Sequence, residues 1–221
     1  MTTTHAAYDQ HAAWYEDFVT GNPYTQLVSA LLTELLGTGT GLAVELGCGT
    51  GIHADTVRAT GRTPIGFDIS AGQLGFAAGR LPVARADVAA IPLPDASVST
   101  VIAVLIHTDV PDYPAALREA ARILKPGGRF VHIGVHPCFT GAFSDRSDPA
   151  RVIITSELYG HTGVSFESWS PNGVRARVGA RHLPIADLIN ATLAAGLTLT
   201  TTAERGQGPL PDLFGIAATR S

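Results

Sequence analysis

Gly47, Gly49 and Gly51 stand at alternate positions directly after the apolar run Leu42 to Leu46 and ahead of a helical pattern over Ile52 to Thr60. Without Cβ atoms they can take positive φ and let a ligand lie against bare backbone, with amide N–H groups offered at a helix start. That chemistry suits a nucleotide-like ligand. A second apolar run, Thr63 to Phe67, ends in Asp68, about 20 residues beyond the first glycine, where an open α/β sheet presents a carboxylate to ribose hydroxyls. The same aspartate would also serve as a helix cap near Ser70 or Ala71. A third run, Val83 to Ala86, ends in Asp87 and Val88.

Two imidazoles are placed for acid–base work. His107 follows the apolar run Ser97 to Ile106, and His136 follows Arg129 to Val135. In an open α/β sheet the ligand sits beyond the carboxyl ends of the strands. An unperturbed imidazole, with a pKa of about 6.5, accepts a hydroxyl or ammonium proton near neutral pH. Either histidine is therefore an expected general base, and either can equally be a turn or backbone-bonding residue.

The elements that must position these groups alternate along the chain. Strands are expected at Leu42 to Leu46, Thr63 to Phe67, Val83 to Ala86, Val98 to Val104, Arg129 to Val135, Leu197 to Ala203 and Phe214 to Ala218. Helices are expected at Tyr24 to Leu36, Ile52 to Thr60, Ala71 to Ala78, Pro114 to Leu124 and Pro184 to Ala195, and Lys125-Pro126-Gly127-Gly128 reads as a helix stop. Such alternation predicts an α/β fold, a mostly parallel sheet with helices on both faces.

Four ordered segments carry a family resemblance: Glu45-Leu46-Gly47-Cys48-Gly49-Thr50-Gly51, Gly66-Phe67-Asp68-Ile69-Ser70, Ala86-Asp87-Val88 with Ile91 to Ser97, and Ala120 to Arg129. Over Leu42 to Val135 the chain resembles the class I S-adenosylmethionine-dependent methyltransferases, in the small-molecule branch typified by the ubiquinone and menaquinone enzymes. The resemblance implies a Rossmann-like seven-stranded sheet, mostly parallel with an antiparallel last strand. It implies S-adenosyl-L-methionine as cofactor, with Gly47 and Gly49 at its methionine part, Asp68 at the ribose hydroxyls, Asp87 at the adenine amino group and Val88 beside the ring. Glu45, Gly51 and Ile69 complete the implied cofactor set. A nicotinamide dinucleotide fits less well, because its fingerprint wants Gly or Ala where Ile52 stands.

Two segments fall outside this scaffold. Tyr8-Asp9-Gln10-His11-Ala12-Ala13-Trp14-Tyr15-Glu16 is similar to the Y-D-x-x-A-x-x-Y-D lid of related methyltransferases, with Glu16 in place of the final Asp. Tyr8 and Tyr15 are its expected cofactor contacts, and Trp14 an expected substrate contact. The segment His136 to His182 is too long for an ordinary connection and is expected to cap the substrate pocket after the fifth strand. A hairpin is expected there, pairing Ser168 to Ser170 with Val174 to Val178 around Pro171-Asn172-Gly173. His161 and Arg175 are weaker substrate contacts, His182 is read as a helix anchor, and Asp145 to Ser147 with Asp148-Pro149 as a solvated loop without chemistry. The organisation is thus one domain: N-terminal lid helices over 1–36, cofactor core over 37–135, cap over 136–182 and C-terminal helix and strands over 183–221.

Composition limits the partners. A formal charge of −4 and an isoelectric point near 6.0 leave no basic field for nucleic acid phosphates. The sequence has no long apolar run, and Met1 to Gln10 lacks the features of a secretory signal, so a cytoplasmic protein without membrane attachment is expected. Two cysteines, Cys48 and Cys138, support no disulfide framework, and the eight histidines fall into no metal-ligand spacing, so no metal is expected. The expected reaction is in-line displacement at a sulfonium methyl by an oxygen, less readily a nitrogen or carbon, of a small molecule, with secondary metabolism as its setting. A cyclisation that keeps the cofactor without methylating, or a non-catalytic accessory protein, shares every motif. A monomer or a homodimer fits equally.

Overall fold

A computed structural model describes residues 6–148 and 151–221. Met1 to His5, part of the segment read for a secretory signal, and Pro149 of the expected solvated loop lie outside the described residues.

The N-terminal segment forms a 3-10 turn at Asp9–His11, then α1 (Ala12–Val19) and α2 (Pro23–Leu36). Helix α2 starts where Pro23 presets the first turn and Asn22 Oδ1 accepts from the Tyr24 N–H at 2.9 Å. There follow β1 (Leu42–Leu46), α3 (Ala54–Ala59), β2 (Thr63–Asp68), α4 (Ala71–Ala77), β3 (Val83–Arg85), β4 (Val98–Val104), α5 (Tyr113–Ile123) and β5 (Leu124–Val135). A short antiparallel pair, β6 (Ser144–Asp145) and β7 (Ile153–Ile154), precedes α6 (Ser156–Tyr159) and α7 (Val174–Val178). The chain ends with α8 (Ile185–Ala194), β8 (Leu197–Arg205) and β9 (Leu213–Arg220).

Seven strands form one sheet in the order β3, β2, β1, β4, β5, β9, β8. All neighbours are parallel except β9, which runs antiparallel to both β5 and β8. This is the Rossmann-like sheet, mostly parallel with an antiparallel last strand, that the resemblance implies. The strand order reverses between β1 and β4, which opens a crevice beyond their carboxyl ends. Alternation along β5 fills both faces. Phe130 packs with Leu117, Ile123 and Leu188 on the α5 and α8 side, while Val131 and Ile133 pack with Leu31, Leu32 and Leu35 of α2.

Three sequence expectations need correction. The helix stops ahead of Lys125 as expected, at Ile123, but the strand expected from Arg129 already begins at Leu124, and Lys125 to Gly128 form a bulge inside β5, since Val98 pairs with Leu124 and Thr100 with Arg129. Gly127 takes φ 72° at the bend. Val174 to Val178 is a helix, not a hairpin arm. Val174 and Val178 are also four residues apart, so an alternating pattern this short fits one helical turn as well as a strand. Asp145, read as loop, belongs to β6.

Candidate functional site

The turn after β1 is built as its glycines require. Gly47 takes φ 61°, and a Cβ there would stand 2.7 Å from Ile106 Cγ2. Gly51 takes φ 73°, and its missing Cβ lets the end of α4 approach, with Leu81 Cδ2 at 2.5 Å from the Cβ position. Gly51 is therefore a packing residue and does not line the cavity described below. Cys48 is buried with its sulfur against Gly66, and burial raises its thiol pKa, which keeps it protonated.

Asp68 ends β2 with both oxygens held. The Gly49 N–H donates to Oδ2 at 2.8 Å and the Ser70 N–H to Oδ1 at 2.8 Å. Burial raises its pKa while these backbone donors work in the opposite direction. Glu45 is completely buried at the end of β1, and its Oε2 has no hydrogen-bond partner. Burial and the neighbouring Asp68 raise Glu45 to about 8. Both carboxyls face a cavity of about 560 Å³ at the β1–β4 reversal, whose wall also includes Gly47, Gly49, Ile69, Asp87 and Val88.

The N-terminal segment is fastened over this turn. Ser70 Oγ donates to Asp9 Oδ1 at 2.7 Å, and Arg80 donates to Glu16 at 2.9 and 2.5 Å and to the Thr50 carbonyl at 2.8 Å. The Arg80 guanidinium holds Glu16 down to about 2. Tyr8 and Tyr15 meet edge to face at 5.3 Å and both line the cavity. Tyr8 Oη donates to Asp109 Oδ2 at 3.1 Å.

A second cavity, about 260 Å³, adjoins the first and shares Tyr8, Tyr15, His53, Leu105, Thr108 and Asp109 with it. Arg175 lines this second cavity. Leu105, at the junction, takes φ 58°, a left-handed conformation that costs a branched residue about 1–3 kcal/mol and that collects at functional sites.

Neither histidine expected as base lines either cavity. His136 is buried with Nε2 at 2.7 Å from Glu204 Oε1, its Nδ1 accepting from the Cys138 N–H at 3.1 Å. His107 is buried against His132 and Tyr113, and burial with the nearby His182 and Arg175 lowers it to about 3. Trp14 also misses the cavities; it stacks on Phe18 and lies under the Arg177 guanidinium at 4.3 Å. His161 is exposed in a shallow surface recess. His182 packs against Phe143 and Tyr159. Sequence reasoning passed over Asp109 and His53, which do reach the junction. The only sequence signal for Asp109 was its place two residues past His107 at a strand end.

Residues 44–132 match a family model described as a methyltransferase domain. A demethylmenaquinone methyltransferase of Tropheryma whipplei is 36% identical over 104 residues, 44% of each chain. A malonyl-[acyl-carrier protein] O-methyltransferase of Serratia marcescens is 33% identical over 88 residues, 38% of this chain and 34% of that one. The chain thus spans less than half the length of these curated relatives. An S-adenosylmethionine-dependent methyltransferase structure from Mesorhizobium loti is similar in fold, with TM-score 0.71 and 22% identity, over 91% of this chain and all of that one. Sheet order, glycine turn and family match agree: residues 44–132 are a methyltransferase domain, set in the sheet of the class I S-adenosylmethionine-dependent methyltransferase fold.

Proposed function

We propose that the protein binds S-adenosyl-L-methionine in the larger cavity and catalyses methyl transfer to a small molecule in the smaller one, to oxygen ahead of nitrogen or carbon. The observation that carries this reading is the buried, unpartnered Glu45 Oε2 on the wall that Asp68 and Asp87 also line. A buried acceptor without a partner costs free energy until a donor arrives. A ligand bearing an ammonium, ribose hydroxyls and an adenine amine offers donors to all three carboxyls. Val88 and Ile69 would lie beside the purine, and the bare backbone of Gly47 and Gly49 beside the methionine part. When bound, this cofactor supplies a methyl group already activated on a sulfonium.

What remains for the protein is orientation and the exclusion of water. Well-aligned reactants gain about 7–11 kcal/mol over encounter in solution. In this reading the lid over 1–36 closes the site through Tyr8 and Tyr15, and the cap over 136–182 covers it with Val178, Gly179 and Ala180, which line the larger cavity. The acceptor then meets the methyl group where the cavities join. The cytoplasm is the compartment this reading expects. Mass spectrometry after incubation with S-adenosylmethionine and small phenols, acids and amines tests it. Equal amounts of S-adenosylhomocysteine and a product heavier by one CH₂ are expected; conversion of an acceptor with no S-adenosylhomocysteine would mean a non-methylating reaction instead.

A further inference from the structure

We propose that the smaller cavity takes a neutral, single-ring phenol or aromatic alcohol and that Asp109 is the catalytic base receiving its hydroxyl proton. The proposal rests on the methyl-transfer reading above for the reaction, and on separate observations for the acceptor and the base.

Size and lining select the acceptor. An apolar cavity of about 150 Å³ holds benzene, so about 260 Å³ admits a substituted single ring. Its walls include Tyr15, Phe18, Tyr24 and Trp169. Phe18 and Trp169 keep 38% and 46% of their surface exposed, apolar area that a flat ring would cover. An anionic acceptor finds poor reception. The Arg175 guanidinium already donates to the carbonyls of Ala180 at 2.6 Å and Arg181 at 3.2 Å, and a carboxylate would be set near Asp109.

Position selects the base. Methyl transfer requires the acceptor atom at the junction, and among the described residues the ionisable side chains lining both cavities are Tyr8, Tyr15, His53 and Asp109. Burial raises both tyrosines, so they stay protonated. His53 contacts Ser29 Oγ through Nδ1 at 3.2 Å, and burial lowers it to about 4, a weak base. Asp109 is partly buried at the cavity junction, accepts from Tyr8 Oη, and is raised by desolvation to about 7. The charged and titratable groups acting on it are Tyr8 and Tyr15 from the N-terminal segment, Asp68 from β2 and Arg175 from α7. A base is most effective with its pKa near the working pH. In the step, the acceptor O–H bond breaks and its proton passes to the Asp109 carboxylate. The oxygen bonds to the methyl carbon, and the sulfur–methyl bond breaks with its electron pair left on sulfur. Asp109 ends protonated and returns its proton to solvent when product leaves.

Three readouts test this. In equilibrium dialysis, 4-nitrophenol should bind the wild type, with 4-nitrobenzoate and the cavity-filling Val174→Trp variant each about tenfold weaker. By absorbance, bound 4-nitrophenol should ionise at a higher pH in the wild type than in Asp109→Asn, because a carboxylate disfavours a second negative charge. With a mixture of single-ring phenols and saturating S-adenosylmethionine, Asp109→Asn should release S-adenosylhomocysteine about 10²–10⁴-fold more slowly. Equal binding of the benzoate, indifference to Val174→Trp, the same phenol titration in both proteins, or, with S-adenosylmethionine bound, release absent or independent of Asp109 would overturn the proposal. Should phenol bind and titrate as expected while S-adenosylmethionine fails to bind at all, the methyl-transfer reading falls and the pocket assignment stands.

Discussion

The carboxyls at this site differ from what their residue types suggest. A solvated Glu or Asp is ionised and a poor base at neutral pH, and a solvated His is half-titrated there. Burial reverses the ranking, taking Glu45 to about 8 and Asp109 to about 7 while His107 falls to about 3. Glu45, Gly47, Gly49, Asp68, Asp87 and Val88, grouped by the family resemblance and carried on three strand ends, line one cavity. Sequence reading took His107 and His136 as bases from their strand-end positions and the solution pKa of imidazole, and passed over Asp109, whose raised pKa depends on tertiary burial. The raised Glu45 has a consequence for stability. A carboxyl raised on folding contributes fully below its unfolded pKa, and that contribution is lost as pH rises through its folded pKa. For Glu45 the window runs from the ordinary carboxylate range up to about 8. Glu45→Gln should therefore melt above the wild type near the top of this window, both without ligand, with the gap closing toward acid pH. Each kcal/mol corresponds to about 2–4 °C at this chain length. Calorimetric melting at the two ends checks it, and a gap that does not vary with pH would contradict the burial argument.

At the scale of elements, the strands and helices that carry the site were legible because each run was long, periodic and bounded by Gly or Pro. The cap was less so. Helix α7 has five residues, too few for a helical and an alternating pattern to separate. The bulge at Lys125 to Gly128 could not be told from a loop without its partner strand. One buried cation fastens the scaffold around β1. Arg62 donates to the Leu36 and Gly37 carbonyls at the end of α2, to Thr60 Oγ1 and to Thr100 Oγ1, at 2.8–3.1 Å. The helix end thereby gains both its missing donors and a positive charge where its dipole is negative. Removing it leaves buried carbonyls unpaired, so Arg62→Ala should destabilise by about 3 kcal/mol. Chemical denaturation at neutral pH checks this, and a change below about 0.5 kcal/mol would mean that water replaces the guanidinium without loss.

For the molecule as a whole, the topology places chemistry at one edge of the sheet. The reversal between β1 and β4 opens the larger cavity, and the N-terminal and cap segments, which lie outside the sheet, line its continuation into the smaller one. The core was the readable part because its motifs are local in sequence. The smaller cavity, the proposed acceptor site, forms where α1, α2 and the segment after β5 meet, a long-range arrangement that spacing does not encode. No helix among the described residues is long and apolar enough to cross a membrane. The central claim is that the larger cavity is an S-adenosylmethionine site held by Asp68. Isothermal titration of the protein with S-adenosylmethionine and S-adenosylhomocysteine, beside Asp68→Ala and the isosteric Asp68→Asn, tests it most directly. The account predicts saturable binding of both ligands to the wild type and strong weakening in both variants with the fold intact by circular dichroism. Absence of binding to either ligand, or unchanged affinity in the folded variants, would contradict it.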